Sequence, residues 1–278
     1  MSKVVVVTGG SDGIGAAAAR RLARDGHTTV IVGRSPDKTR AIAGELGSDH
    51  FVADFTRFED VRKLAAELDA RYPRIDVLVN NAGGVFGDRN RTVDGFEKTL
   101  QVNHLAPFLL TNLLLDKLLA SGASVVQTSS SGARLFGHID VDDLNNDNKY
   151  TPHKAYGDTK LANILFTKEL HVRFHGQGLS AVAFHPGGSV ATGFATDTTS
   201  FMRFVYGNPV VRPFLLSAEY GARPLVWLAE GTPSVDWIPG AYYEKKKLAR
   251  RNNPQVVDAG LARRLWDRST EMVGLGAS

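Results

Sequence analysis

Short runs of β-branched and aliphatic residues recur along the chain, separated by longer stretches with helical spacing. Val4 to Val7 shows no polar alternation, which predicts a strand buried on both faces, as in a parallel sheet. Thr28–Val32, His50–Ala53, Asp76–Val79, Ser124–Gln127 and Leu179–Phe184 are further predicted strands. Between them the spacing predicts helices over Ala16 to about Arg24, closed by Gly26, over Phe58 to Arg71, about Val93 to Gln101, and His153 to about Phe174. His104 to Leu119 is apolar nearly all round, which predicts burial against other helices or a partner subunit. No linker, low-complexity block or internal repeat interrupts the alternation. It predicts a single α/β domain over residues 1–278, a doubly wound parallel sheet of Rossmann type.

Polar residues and glycines gather just past the predicted strand ends, where open α/β sheets bind ligands. The first such turn is Thr8-Gly9-Gly10-Ser11-Asp12-Gly13-Ile14-Gly15. Strand, glycine turn, helix and strand within about thirty residues make a dinucleotide-binding half-unit, whose glycines let backbone amides approach a pyrophosphate. The spacing Gly9-x-x-x-Gly13-x-Gly15 is not the common G-x-G-x-x-G, nor is it a P-loop, because no Lys-Ser/Thr follows. The second strand ends in Gly33-Arg34, where an NAD binder usually carries a carboxylate. A guanidinium there suits a 2′-phosphate, so NADP(H) is the favoured cofactor.

Tyr156 and Lys160 lie four apart on a predicted helix and share a face. A nearby cation favours the phenolate and lowers a pKa that is ordinarily about 10. The pair can serve as a general acid/base if other parts of the chain supply a cofactor and a substrate. By itself the spacing is common in helices.

Composition narrows the field further. The chain has 278 residues, 43% hydrophobic and 22% charged, with no cysteine, so disulfides, cysteine–zinc sites and thiol catalysis are excluded. The start of the chain carries no signal-peptide pattern, and no apolar run reaches membrane-spanning length. A cytoplasmic protein is expected. A net charge of +4 makes no case for nucleic acid. His171 and His175 have a metal-pair spacing but no third ligand, so no metal is expected. Lys245-Lys246-Lys247 with Arg250-Arg251 reads as a solvated turn before the last helix.

Together, Thr8-Gly9-x-x-x-Gly13-x-Gly15, Asp54, Asn80-Asn81-Ala82-Gly83, Asn103, Ser130, Tyr156-x-x-x-Lys160 and Pro186-Gly187 resemble the motifs of the short-chain dehydrogenase/reductase family, in that family's order and over essentially the whole chain. The stretches 102–112 and 160–166, and Gly240-Ala241-Tyr242-Tyr243 with Leu265-Trp266-x-x-Ser269, resemble more narrowly its retinol dehydrogenase and WW-domain oxidoreductase branch. The resemblance implies an NADP(H)-dependent oxidoreductase that interconverts a hydrophobic alcohol and its carbonyl. A polyketide ketoreductase is the alternative within the same chemistry, and a non-catalytic nucleotide-sensing scaffold the alternative outside it.

The resemblance also implies roles. Tyr156 would exchange a proton with the substrate oxygen, Lys160 would hold the nicotinamide ribose, and Ser130 would hydrogen-bond the substrate oxygen. Asn103 would position a water that links Lys160 to solvent. Gly9, Ser11, Asp12, Gly13, Ile14 and Gly15 would cradle the pyrophosphate. Asp54 and Phe55 would meet the adenine, Asn81, Ala82 and Gly83 the adenosine ribose, and Pro186 and Gly187 the nicotinamide. Two positions stay open. Ser129, Ser130 and Ser131 all offer hydroxyls, with Ser130 aligned to the family's second serine. Thr192 falls one position late for its family contact to the nicotinamide.

The family's substrate lid would span about 190–217, which holds many large apolar side chains. They imply a hydrophobic substrate, or else a lid packed on the body, a subunit interface, or a membrane-surface contact. Phe136 and His138 are further candidates for the pocket. Homodimer or homotetramer pairing through 104–119 and 153–174 is implied by the family.

Overall fold

The computed structural model describes residues 2–187 and 217–276. Among these, one eight-stranded sheet carries the fold. Its strands are β1 (Val4–Thr8), β2 (Thr28–Gly33), β3 (Asp49–Val52), β4 (Val77–Asn80), β5 (Ser124–Thr128), β6 (Ser180–His185), β7 (Tyr242–Glu244) and β8 (Lys247–Leu248). The order is β3-β2-β1-β4-β5-β6-β7-β8, all parallel except the last hairpin. The doubly wound α/β sheet expected from the alternation is therefore present.

Two helical layers cover the sheet. On one face lie α1 (Gly13–Arg24) and, late in the chain, a helix over Ala218–Glu230. On the other lie α3 (Phe58–Arg71) and helices from later in the chain. Alternate residues of each strand feed the two layers: Val5 and Val7 join the first, Val6 the second. The predicted second-layer helix over 93–101 does not form as such. Gly95 has φ +88°, so 93–97 is a turn, and the Glu97 carboxylate instead caps α4 (Lys98–Leu100). The expected helix over 104–119 is likewise divided. A π turn covers Gln101–Leu105, then come α5 (Ala106–Leu113) and, after a break at Leu114, α6 (Leu115–Ala120).

α2 (Pro36–Leu46) went unpredicted although Ser35 caps it, Pro36 opens it and left-handed Gly47 closes it. The short α7 (Gly132–Leu135) precedes α8 (Pro152–Phe174), the long helix of Tyr156 and Lys160, capped by Thr151. The helix over Ala218–Glu230 is α9, and α10 (Ala259–Met272) closes the described chain.

α10 lies across α5 and α8. Trp266 packs edge-on against Phe108 and tilted against Phe166 and Phe174, at centroid distances of 5.0, 5.6 and 5.9 Å. Arg173 sits over the same indole, 4.7 Å from its centroid. Ala106 to Thr111 of α5 are thus buried within one chain. The basic run is exposed as predicted: Lys245 and Lys246 form the β7–β8 turn, with Lys245 at φ +59°. The predicted lid over 190–217 falls, all but Ser217, outside the described residues, as does Thr192. Among the described residues no helix is long and apolar enough to cross a membrane.

Candidate active site

The sheet order reverses between β1 and β4, which opens a crevice at the strand carboxyl ends. A cleft of about 710 Å³ occupies it. Its walls include Gly9, Ser11, Asp12, Gly13, Ile14, Arg34, Asp54, Phe55, Asn81, Ala82, Gly83, Ser130, Tyr156, Lys160 and Pro186. Asn103, Gly15 and Gly187 are absent from this lining.

Backbone geometry shapes the first half. Gly9 takes φ +64°, and a Cβ on it would stand 2.9 Å from Ala82 Cα. A Cβ on Gly15 would stand 2.2 Å from the Gly9 carbonyl oxygen, so the start of α1 can close on the turn only without a side chain there. Thr8 knits the turn to β4: its hydroxyl donates to Val79 O at 3.0 Å and accepts from the N–H groups of Asn81 (3.0 Å) and Ala82 (3.1 Å). Asp12 caps α1 and pairs with Lys38 at 2.7 Å. Arg34, exposed at the end of β2, lines the same end of the cleft as Lys38. Asp54 is held by the Thr56 N–H and hydroxyl, each at 2.9 Å.

Side chains anchored at depth shape the second half. Ser129, Ser130 and Ser131 all line the cleft, but Ser129 is buried and donates its hydroxyl to Lys160 O at 2.7 Å. A methyl on Gly132 would touch both Tyr156 Cε1 (3.0 Å) and Ser130 Oγ (3.5 Å), so phenol and hydroxyl flank one point. Lys160 is 2% exposed. Its ammonium donates to Thr128 O at 3.2 Å and lies 5.6 Å from the Tyr156 ring centroid. Burial pushes the Lys160 pKa down to about 8. Gly83 leaves room for this ammonium: a Cβ there would come within 3.3 Å of Nζ and 2.8 Å of Asn103 Oδ1. Asn103 accepts from Gly84 N–H at 2.8 Å and donates to Gly84 O at 2.9 Å, which clamps the loop after β4.

Beneath these residues a buried chain reaches α10. Ser269 Oγ lies 2.9 Å from His104 Nε2, and His104 Nδ1 lies 3.4 Å from Asn163 Oδ1. Asn163 donates to Thr128 O at 3.3 Å, the oxygen that Lys160 also uses. Burial holds the His104 imidazole neutral, with its pKa pushed down to about 4.

Four cleft residues went unremarked or misjudged in the sequence. Lys38 follows the Ser35-Pro36 helix start, which could have placed it beside Arg34. Phe86 follows Asn80-Asn81-Ala82-Gly83 by three positions and carries no motif signal. His153 lines the cleft against Phe136, ring centroids 5.2 Å apart, although in the sequence it marks only the start of a helix. His185 immediately precedes Pro186-Gly187 and also lines the cleft. Phe136 faces the cleft as predicted; His138 does not, and its N–H is held by Asp158 at 2.7 Å. His171 and His175 stack at 4.6 Å.

The short chain dehydrogenase family model matches residues 3–202. A Streptomyces sp. (strain C5) protein provisionally named a daunorubicin C-13 ketoreductase is 43% identical over 98% of this chain and 93% of its own. Human retinol dehydrogenase 13 is 39% identical over 99% of this chain and 86% of its own. The solved structure of an uncharacterised protein from Mycobacterium paratuberculosis superposes with a TM-score of 0.77 at 33% identity, covering 98% of this chain and 93% of that one.

Proposed function

The chain belongs to the short-chain dehydrogenase family, on its retinol dehydrogenase-like branch, and from that premise we propose that it is an NADP(H)-dependent oxidoreductase interconverting a hydrophobic alcohol and its carbonyl. One observation carries this reading: Tyr156 and Ser130 converge beside Gly132, above a buried Lys160, in the same cleft as the glycine turn and Arg34. β2 and β5 are three strand spacings apart, roughly 14 Å, which suits an extended dinucleotide. The turn suits it as well, since a Cβ on Gly9 or Gly15 would collide with Ala82 or the Gly9 carbonyl and force the glycine turn open.

When bound, the nicotinamide supplies or accepts the hydride. The amides at the start of α1 would hold its pyrophosphate. Arg34 and Lys38 offer cations to a 2′-phosphate, which favours NADP(H) over NAD(H). Ser130 donates a hydrogen bond to the substrate oxygen, and Tyr156 passes a proton to that oxygen or takes one from it. Lys160 stays cationic at neutral pH, close enough to favour the phenolate of Tyr156. Asn103 keeps Gly83 and Gly84 against that ammonium. Val85, Phe86, Leu135 and Phe136 give the cleft an apolar wall, which suits a hydrophobic substrate. The Streptomyces relative favours a bulky polycyclic ketone as a second reading of the same wall.

A panel of aldehydes, ketones and hydrophobic alcohols, followed at the nicotinamide absorbance, tests the reading. Turnover is expected with NADPH or NADP at lower KM than with NADH or NAD. Absence of turnover across the panel sinks the enzyme assignment, and tighter NADH binding sinks the cofactor assignment.

A further inference from the structure

His185 ends β6 and is 6% exposed. Its Nδ1 accepts the Gly187 N–H at 3.0 Å. An accepting nitrogen carries no proton, so the neutral ring bears its hydrogen on Nε2. Nε2 faces Glu244 Oε1 of β7 at 3.5 Å. The tautomer is therefore fixed from both sides. The bond matters because Gly187 takes φ +83°, a left-handed turn with no strand ladder to hold it. The Lys245 side chain lies over Gly187, where an added Cβ would meet Cε at 2.5 Å, and the Lys245 N–H donates to His185 O at 3.0 Å.

The same three-residue strand also braces the catalytic end. The Tyr242 hydroxyl donates to Ser130 O at 3.3 Å, and burial pushes that phenol up, so it remains a donor. Its ring stands 6.1 Å from the His185 ring. β7 thus touches both the Pro186-Gly187 turn and the Ser130 loop.

We propose that His185 is a positioning residue for the cofactor: clamped by Glu244, it holds the Pro186-Gly187 turn in its binding shape through the Gly187 N–H. This rests on the reading that the cleft binds a nicotinamide nucleotide. A proton on Nδ1 removes the acceptor and releases the turn. The charged and titratable groups facing the ring are Glu244 and Lys245 of the β7–β8 hairpin, Arg134 of α7, and Tyr242. Burial lowers the His185 pKa, Glu244 opposes that, and Lys245 and Arg134 add to it. NADPH affinity is therefore expected to fall on the acid side, as pH drops below the ordinary histidine value.

The test compares NADPH dissociation constants of wild type, His185→Leu and His185→Asn between pH 5 and 8, with circular dichroism to verify folding. Asparagine offers Oδ1 near the place of Nδ1 but cannot be protonated in this range. His185→Leu is expected to weaken NADPH about tenfold, the size of one lost hydrogen bond to a positioned group. His185→Asn is expected to recover most of that loss and to flatten the acid-side decline. If wild type binds NADPH and all three proteins bind alike, or if asparagine is as weak as leucine, the positioning role is overturned while the cofactor reading stands. If wild type binds neither NADPH nor NADH, the cofactor reading falls and takes this proposal with it. Should His185→Leu fail to fold, Glu244→Gln supplies the second arm: the role predicts a change in the acid-side profile, and an unaltered profile overturns it.

Discussion

The two halves of the cleft are built by different means. Around β1 and β2 the shape is set by backbone: Gly9 and Gly15 have no room for a Cβ, and Thr8 stitches the turn to β4, with the charged side chains Arg34 and Lys38 exposed at its rim. Around β5, β6 and β7 the surface is made of side chains held from below: Lys160 on Thr128 O, Tyr242 on Ser130 O, and His185 on Gly187 N–H. A backbone surface tolerates no added atoms yet needs no buried charge. A side-chain surface places a cation where water cannot reach it, and burial opposes that charge. The first half is therefore suited to binding and the second to chemistry, at a cost in stability.

The sharpest way to separate the halves is Tyr156→Phe. It removes the proposed proton donor and leaves the glycine turn untouched. We expect kcat to fall by roughly 10²–10⁴ with the NADPH dissociation constant within about threefold of wild type. A comparable loss of cofactor affinity would mean the halves do not divide binding from chemistry.

Lys160→Met tests the cost. A fully buried lysine displaced from 10.5 to about 8 destabilises the folded state at neutral pH by roughly 3 kcal/mol. The unfolded chain binds the extra proton between those two values. The penalty is therefore full below pH 8 and is relieved as pH rises towards 10.5. Urea unfolding without cofactor should show the variant more stable at pH 7, and inactive. A less stable variant would show that the ammonium supports the fold instead of burdening it.

His104 carries a penalty of the same sign in a more acid window. It is buried neutral with its pKa near 4, so the unfolded chain takes up a proton that the folded chain refuses as pH falls from about 6.5 towards 4. The stability lost over that window should approach about 3 kcal/mol in wild type. His104→Asn should flatten the window when unfolding is compared at pH 4.5 and 7. An unchanged slope would place the acid sensitivity in other groups.

The smallest effect belongs to the binding half. Arg34→Leu removes one charge-assisted contact and leaves Lys38 in place. The preference for NADPH over NADH should fall about tenfold, read from the two dissociation constants. A preference that does not move would put the discrimination on Lys38 or the backbone.

The same division decides what could be read from the sequence. The binding half is local: Thr8 to Gly15 and Gly33-Arg34 lie in two short stretches whose spacing states their use. Lys38 escaped only because α2 did, although Ser35-Pro36 announced it. The catalytic half is assembled from afar. Tyr156 and Lys160 share a helix and were legible, but Tyr242 meets Ser130 across 112 residues and Ser269 meets His104 across 165. No periodicity carries such pairings. β7 is three residues long, too short for alternation to mark, and it forms because the exposed edge of β6 accepts it. The misread helix over 93–101 failed for a local reason that was visible: Asp94-Gly95 is a turn dipeptide, and apolar spacing was given more weight.

The packing of Trp266 over Phe108, Phe166 and Phe174 has a consequence for how the molecule comes apart. When a neighbouring subunit covers such a surface, unfolding depends on how much protein is present, since dilution drives dissociation. Here α10 does the covering from within the chain. The contacts of Trp266 with Phe108, Phe166 and Phe174 are therefore intramolecular and are not lost on dilution.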